Sequence, residues 1–218
     1  MNSFFNYNNK FFHAVNKILN VCFISILWIV CCIPIFTVGA STTAMYYTVN
    51  KVVHHNRSYV FTEFFPAFKR NFKQSTCIWL IVFFSGLIFR LDAYIMKNYF
   101  LKAGSMIGNL YIFFNVLLVF EFIWCMYIFP NIAKFENSNR QIMKNAALMA
   151  VAHLPWTLLI VVILVLFLFL LLLVPVLIIF LPGAYMWIWS VIIEKNFRRY
   201  MSEEELLKED EQNREYYN

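Results

Sequence analysis

The stretch from residue 148 to residue 174 reads LMAVAHLPWTLLIVVILVLFLFLLLLV, and it holds no acidic residue, no lysine and no arginine. A helix needs about 20 apolar residues to cross about 30 Å of hydrocarbon. The apolar run continues from Pro175 to Val191, which makes more than forty residues in all. Because so long a run cannot cross once, Pro175 predicts a turn between two spans.

The composition of the whole chain agrees with this stretch. Of its 218 residues, 61% are hydrophobic and 14% are charged, and 25 are phenylalanine. An average soluble domain has about 45–50% apolar and about 25% charged residues. The sequence therefore predicts an all-α, polytopic transmembrane helical bundle, with bilayer lipid as its solvent.

Five runs are long enough to cross a bilayer, namely residues 18–36, 75–96, 106–130, 148–174 and 175–191. The first run, at 19 residues, is longer than the 7–15-residue core of a signal peptide, so we interpret it as an uncleaved helix. A sixth segment, residues 39–53, is shorter and rich in small side chains. Gly39 with Thr43, and Ala40 with Ala44, are four residues apart and predict close packing against a neighbouring helix. This segment either crosses fully or enters the membrane and returns.

The lysines and arginines predict the orientation. Thirteen of them flank the runs on one side: Lys10, Lys17, Lys51, Arg57, Lys69, Arg70, Lys73, Lys134, Arg140, Lys144, Lys195, Arg198 and Arg199. The opposite loops hold Lys97 and Lys102. Because positive residues favour the cytoplasm, we predict about six membrane helices, five clear and one short, with both termini cytoplasmic. A five-span arrangement with the N-terminus outside is the alternative.

The predicted organisation is one transmembrane domain, residues 1–200, followed by an acidic cytoplasmic tail, residues 201–218. The tail holds seven of the twelve acidic residues and two of the eighteen basic ones. The basic surplus of the remainder lies between apolar runs, so it predicts contact with anionic lipid headgroups and no nucleic acid.

The loop between the short segment and the next run contains an amphipathic pattern. Five phenylalanines recur at helical spacing, and basic residues take the other face: Phe61, Phe64, Phe65, Phe68, Phe72, and Lys69, Arg70, Lys73. Thr62 is a plausible N-cap. The pattern predicts an interfacial helix on the inner leaflet, which contacts lipid or docks a cytoplasmic partner.

Ionisable residues inside the runs form a second candidate site. Glu121 is near the middle of its run, and Arg90 and Asp92 are in the outer half of the preceding one. Asn115 is on the same run as Glu121. Such residues are costly in hydrocarbon and often functional. Either the group lines a polar cavity for a solute, ion or proton, or Arg90 neutralises Glu121 and the group fixes helix packing.

The remaining chemistry-bearing residues predict no enzyme, no metal and no cofactor. The cysteines are inside apolar runs without CxxC spacing, and the sequence lacks HExxH, a P-loop and GxGxxG. His54 and His55 are adjacent and point apart, and His153 is predicted at the inner interface, where its ring tip stays wet. Ser41 is predicted near the outer face, far from His153, so no nucleophile–base pair is expected.

Several motifs resemble the YesL-like family of small bacterial membrane proteins, a family without an established molecular activity. The most specific are PIFTVGASTTAMYY at residues 34–47 and VFTEFFPAFKRNFKQSTCIWL at residues 60–80. FPNIAKFENS at 129–138, KNA at 144–146 and HLP at 153–155 add support. The resemblance implies a bacterial plasma-membrane protein, encoded in many genomes beside ABC-type sugar transporters, and it implies no catalytic residues.

Three functional hypotheses remain open from the sequence. The first is an accessory or interaction partner in carbohydrate uptake, with residues 61–73 contacting ABC-type sugar transporter subunits. The second is a small solute or ion carrier with a polar site around Glu121 and Arg90. The third is a structural or lipid-organising protein, and the sequence predicts no oligomeric state.

Overall fold

The computed structural model describes residues 10–54, 59–201, 203, 204, 206, 207 and 211. His55, Arg57 and most of the predicted acidic tail lie outside the described residues. Within the described residues every regular element is helical, which confirms the all-α fold class. The helices are α1 Lys10–Cys32, α2 Val38–Thr48, α3 Val60–Ile95, α4 Leu110–Lys134, α5 Asn139–Ala152, α6 Leu154–Leu173 and α7 Leu181–Phe197.

Two of these helices continue into a wider, π-helical turn. Val49–His54 extends α2, and Met96–Leu101 extends α3. With its extension α3 runs over Val60–Leu101, 42 residues, and at 1.5 Å per residue it is about 63 Å long. It is therefore about twice as long as the hydrocarbon core of a bilayer is thick.

Four described helices are long and apolar enough to cross a membrane: Ala14–Cys32, Val60–Leu101, Met106–Lys134 and Leu154–Leu173. The chain is thus a multi-pass membrane protein by the length and composition of its helices. The predicted count of six is not confirmed, because α2 and α7 have 11 and 17 residues. The predicted break at Pro175 is confirmed, since α6 ends at Leu173 and α7 begins at Leu181.

The predicted interfacial helix is not a separate element, and this prediction is corrected. Residues 61–73 form the first third of α3, which passes through Pro66 without ending. The buried side of this third, with Val60, Phe64 and Ala67, continues in helical register into Ser75. Because both parts bury the same side, packing favours one continuous helix.

The predicted span at residues 148–174 begins later than expected. Residues up to Ala152 belong to α5, and α6 begins at Leu154. His153 between them has φ −116° and ψ 35°, which is not helical. Pro155 has no N–H to donate to the carbonyl four residues earlier, so it separates the two helices.

The close packing predicted for residues 39–53 is present in α2. Gly39, Ala40, Thr43 and Ala44 are all buried. A Cβ added at Gly39 would lie 2.6 Å from the Ser75 carbonyl oxygen, so only glycine allows this approach of α2 to α3. The hydroxyls of Thr43 and Ser75 are hydrogen-bonded at 2.9 Å.

The α1–α2 pair packs beside the first half of α3. The Phe23 and Phe61 ring centroids are 4.8 Å apart, and the Trp79 indole N–H donates to the Ile35 carbonyl at 2.7 Å. Ile35 is in the turn between α1 and α2. Leu101, at the other end of α3, is 22 residues beyond Trp79, which is about 33 Å along the helix. The tips of the α1–α2 and α3–α4 hairpins are therefore at different levels along α3.

Candidate functional site

The first third of α3 carries two different surfaces on either side of its buried face. Phe64 is fully buried, which corrects the prediction that all five phenylalanines form one docking face. Phe61 and Phe65 are 50% and 38% exposed, and their rings stack at 5.7 Å. We call Phe61, Phe65 and the half-buried Phe68 and Phe72 the aromatic flank. Through Phe61 this flank adjoins α1.

Among the basic residues of this third, Arg70 is on the opposite flank, towards α2, and Lys69 and Lys73 are on the side away from the buried face. Lys69, Arg70 and Lys73 are all exposed. The Arg70 guanidinium is 5.0 Å from the centre of the Tyr47 ring, and the Lys51 ammonium is 4.7 Å from the same ring. Both distances fit cation–π contacts. We call Tyr47, Lys51 and Arg70 the Tyr47 cluster.

One acid faces this cluster. The Lys51 ammonium is 3.6 Å from a Glu63 carboxylate oxygen, and both side chains are partly exposed. This is a long, solvent-screened ion pair, and pairs of that kind contribute little to stability. It leaves the flank with a surplus of positive charge.

Glu121 is buried where α4 crosses α3, at 8% exposure. The Ser85 hydroxyl donates to one carboxylate oxygen. A Cβ added at Gly86 would lie 3.0 Å from the other oxygen. Ser85 and Gly86 thus let α3 approach α4 closely enough to enclose the carboxylate.

The other residues of the predicted intramembrane group are not gathered around Glu121. Arg90 is exposed and forms no ion pair with Glu121 in the described part of the chain. The Asn115 amide donates to the Tyr111 carbonyl at 2.6 Å, within its own helix. Asp92 is half-buried on α3. The structure therefore joins Glu121 to Ser85 and Gly86 and does not show the neutralising Arg90 pair.

The helices α1, α2 and α3 contain the part of the chain that matches a known family. Residues 21–93 match the family described as a protein of unknown function, DUF624. The DUF624 match agrees with the resemblance to a YesL-like family without an assigned activity. It covers α1 from Val21, all of α2 and α3 to Ala93, so it includes the Gly39 crossing, both flanks and Ser85. No curated protein and no solved structure matches the chain.

A polar cluster centred on Glu194 of α7 was not predicted from the sequence, and it joins residues inside and outside the DUF624 match. The carboxylate accepts hydrogen bonds from the Tyr46 hydroxyl at 2.7 Å and the Lys134 ammonium at 2.8 Å. The Asn50 amide donates to the same oxygen as Tyr46. The cluster joins the C-terminal end of α4 to α2 and α7. Its one sequence signal is a single acid among the bases of EKNFRR at residues 194–199.

His54 and His153 each contact a hydroxyl group from a distant part of the chain. The His54 Nε2 is 2.7 Å from the Ser190 hydroxyl, at one side of an open, mainly apolar groove of about 460 Å³. His153 is buried and 3.2 Å from the Tyr200 hydroxyl, so its ring tip is less wet than predicted. Burial lowers the pKa of the His153 imidazole, and the charge of Arg199 lowers that pKa further. Among the described residues, no three His, Cys, Asp or Glu side chains are grouped to hold a metal.

Proposed function

We propose that this chain is a non-enzymatic accessory protein of the bacterial plasma membrane that binds a membrane-embedded partner during carbohydrate uptake. The partner class is an ABC-type sugar transporter subunit, and both chain termini are cytoplasmic. The carbohydrate part rests on the YesL-like resemblance. The binding part rests on the surface formed by α1 and the aromatic flank.

The observation that supports binding is the level of this surface along α3. Within residues 60–101 the first half carries Glu63, Lys69, Arg70 and Lys73, and the second half is the more apolar. Since α3 is about twice as long as the hydrocarbon is thick, we place its apolar half in the bilayer. In this arrangement α1, although long enough to span, lies beside the charged half. The exposed side chains of α1, with Phe61 and Phe65, then lie beside the charged half.

An apolar surface beside the charged half of α3 is more stable when another molecule shields it from water. Leu19, Phe23 and Ile26 of α1 are exposed next to the aromatic flank. Large exposed apolar patches mark protein–protein or membrane interaction sites. A transporter subunit that reaches past the inner leaflet supplies apolar contacts at this level.

The interior supports this proposal over a carrier. The carboxylate of Glu121 is enclosed by Ser85 and Gly86, and that of Glu194 has three donors. These polar groups are occupied in helix packing. A carrier remains the second candidate, favoured by the burial of an ionisable Glu121 with a serine as its hydrogen-bond donor.

Affinity purification from mild detergent tests the leading proposal. The variant Phe61→Ala/Phe65→Ala is compared with Phe83→Ala/Phe84→Ala, whose side chains are 38% and 56% exposed on the same helix. We expect a transporter subunit to co-purify with the wild-type chain and the control, and to fall about tenfold with the first variant. Recovery of the wild-type chain alone would contradict the proposal.

Flux assays in proteoliposomes test the carrier. Glu121→Gln keeps the size of the side chain and removes its charge. A solute or proton flux that this variant abolishes would support a carrier. The absence of any flux with the wild-type protein would remove that candidate.

A further inference from the structure

We propose that the Tyr47 cluster binds the phosphate of an anionic phospholipid of the inner leaflet, with Lys69 and Lys73 beside it. The proposal uses the flank of α3 that faces α2, whereas the proposed partner surface is on the flank that faces α1. The two proposals therefore stand or fall separately.

Positive charge is concentrated around one aromatic ring. The Lys51 ammonium and the Arg70 guanidinium both lie within 5.0 Å of the centre of the Tyr47 ring. Two cations held against one ring repel each other, and an anion beside them relieves that repulsion. Arginine binds phosphate through two parallel N–H donors, and lysine binds it as a point charge.

Within the described part of the chain, the acidic residues around the cluster are too few to balance its positive charge. Glu63 is the acid that faces the cluster, at 3.6 Å from the Lys51 ammonium. On the same helix Lys69 and Lys73 add two exposed positive charges. From the neighbouring elements, exposed Glu136 contributes one acid beyond α4, and exposed Arg140 and Lys144 of α5 contribute two bases. The surroundings are net positive, which complements an anionic headgroup.

The position of the basic residues along α3 also supports a lipid headgroup as the ligand. The Gln74 amide donates to the Asn137 carbonyl at 2.8 Å, so α4 ends level with Gln74. The apolar part of α3 begins near Cys77. Lys73 is about 6 Å and Arg70 about 10 Å from Cys77 along the axis. Headgroup layers are roughly 5 to 8 Å thick on each side of the hydrocarbon, and long basic side chains reach towards them.

These observations select a lipid phosphate over a soluble one. The cations are at the junction of an apolar helix with its charged end, where anionic headgroups are concentrated at the cytoplasmic leaflet. Each basic residue near such a surface increases binding about fivefold. Loss of the charges of Lys51 and Arg70 together is therefore expected to reduce the preference for anionic lipid by about tenfold or more.

Native mass spectrometry of the full chain in detergent tests the proposal, with equal amounts of phosphatidylglycerol and phosphatidylcholine added. We expect wild-type protein to retain phosphatidylglycerol, and Lys51→Gln/Arg70→Gln to bind the two lipids about equally. The matched control is Lys97→Gln/Lys102→Gln, which removes two charges at the other end of α3, where Lys97 also lies over a tyrosine ring at 5.9 Å. The control is expected to keep the preference.

Two further variants distinguish a specific lipid-binding site from a general attraction of anionic lipid to the basic surface. Lys51→Arg/Arg70→Lys keeps the charges and is expected to restore the preference, which guards against a folding defect. Lys69→Gln/Lys73→Gln is expected to lose less than Lys51→Gln/Arg70→Gln. Equal losses would overturn the site and leave only general surface electrostatics.

Three other outcomes would overturn the proposal. The first is a wild-type chain that shows no preference between the lipids. The second is displacement of the lipid by added inorganic phosphate, which would assign the cluster to a soluble anion. The third is an acidic protein that co-purifies through Lys51 and Arg70 in place of lipid.

Discussion

The two halves of α3 belong to one continuous helix but have different surroundings. Residues 60–82 bury one side along their whole length: Val60, Phe64, Ala67, Asn71, Ser75, Ile78 and Val82. In the rest of α3, Ala93 is the buried residue, and large apolar side chains such as Phe84 and Leu91 are exposed. The first half is packed by α1 and α2, and the second half adjoins α4. Apolar residues thus build a protein core in one half and a lipid-facing surface in the other.

The difference shows where the specificity of the fold resides. Lipid tails are as apolar as leucine, so exposed apolar side chains in the second half give helices little reason to associate. In the first half, Gly39 allows a close backbone approach, and the Thr43–Ser75 and Trp79–Ile35 hydrogen bonds fix its register. Perturbations of the first half are therefore expected to be the more damaging.

The offset of the two hairpin tips gives an all-or-none prediction. In a cysteine-free background, Met106→Cys is expected to react from outside the cell with a membrane-impermeant maleimide. Phe36→Cys is expected to be protected, because its tip lies about 33 Å short of the far end of α3. Solubilisation in detergent should make Phe36→Cys reactive, since Phe36 is half exposed. Equal labelling of both positions in intact cells would contradict the offset.

Two glycines at helix contacts allow a matched comparison of the halves. Gly39 of α2 packs against the first half of α3, and Gly86 belongs to the second half. A Cβ at Gly39 would lie 2.6 Å from a backbone oxygen and 2.7 Å from the Trp79 Cβ, and neither can move freely. We expect Gly39→Ala to cost about 3 kcal/mol or more. At Gly86 the nearest atom is the end of the Glu121 side chain, so we expect Gly86→Ala to change stability by less than about 1 kcal/mol. Thermal unfolding in detergent measures both, and equal losses would break the comparison.

The sequence predicted the helical class, the membrane setting, the turn at Pro175 and the small-residue face at Gly39. These features follow from local patterns, because hydropathy and residue size are properties of short stretches. The continuity of α3 could not be predicted from the sequence. It depends on packing against α1 and α2, which bury one continuous side of the helix from its first third into the part that follows.

The pairing of polar residues was the least predictable feature. Glu121 contacts Ser85, and Arg90 is five residues further, about 7.5 Å along α3 and on another side of the helix. Glu194 meets Tyr46 and Asn50, which are more than 140 residues earlier in the chain. Composition and spacing do not specify which helix ends meet, so these contacts needed the three-dimensional structure.

A pair of isoleucines on α3 sharpens the comparison with a smaller effect. Ile78 is 0% exposed and Ile88 is 56% exposed. Ile78→Ala leaves a cavity in the packed half, and we expect a loss of about 2–5 kcal/mol. Ile88→Ala removes exposed apolar carbons that detergent or lipid covers in either case, so a loss below about 1 kcal/mol is expected. The unfolding midpoints of both variants are measured in the same detergent. An equal fall of the two midpoints would contradict the expected difference.

The carboxylates of buried Glu121 and half-buried Glu194 give the smallest expected difference. Glu194 accepts hydrogen bonds from Tyr46, Asn50 and the Lys134 ammonium, whereas Glu121 accepts one from Ser85. A hydrogen bond to a charged group contributes about 1.5–3 kcal/mol. We expect Glu194→Gln to cost about 2 kcal/mol, because it removes the carboxylate charge that pairs with the mostly buried Lys134 ammonium.

Glu121→Gln is expected to cost less than about 1 kcal/mol, since an amide oxygen still accepts from the Ser85 hydroxyl. A double-mutant cycle with Lys134→Met isolates the ion pair. If Glu194→Gln remains as costly in the Lys134→Met background, the loss comes from Tyr46 and Asn50 and the ion pair contributes nothing measurable. If the cost falls by half or more, the Lys134–Glu194 pair is what couples the end of α4 to α7.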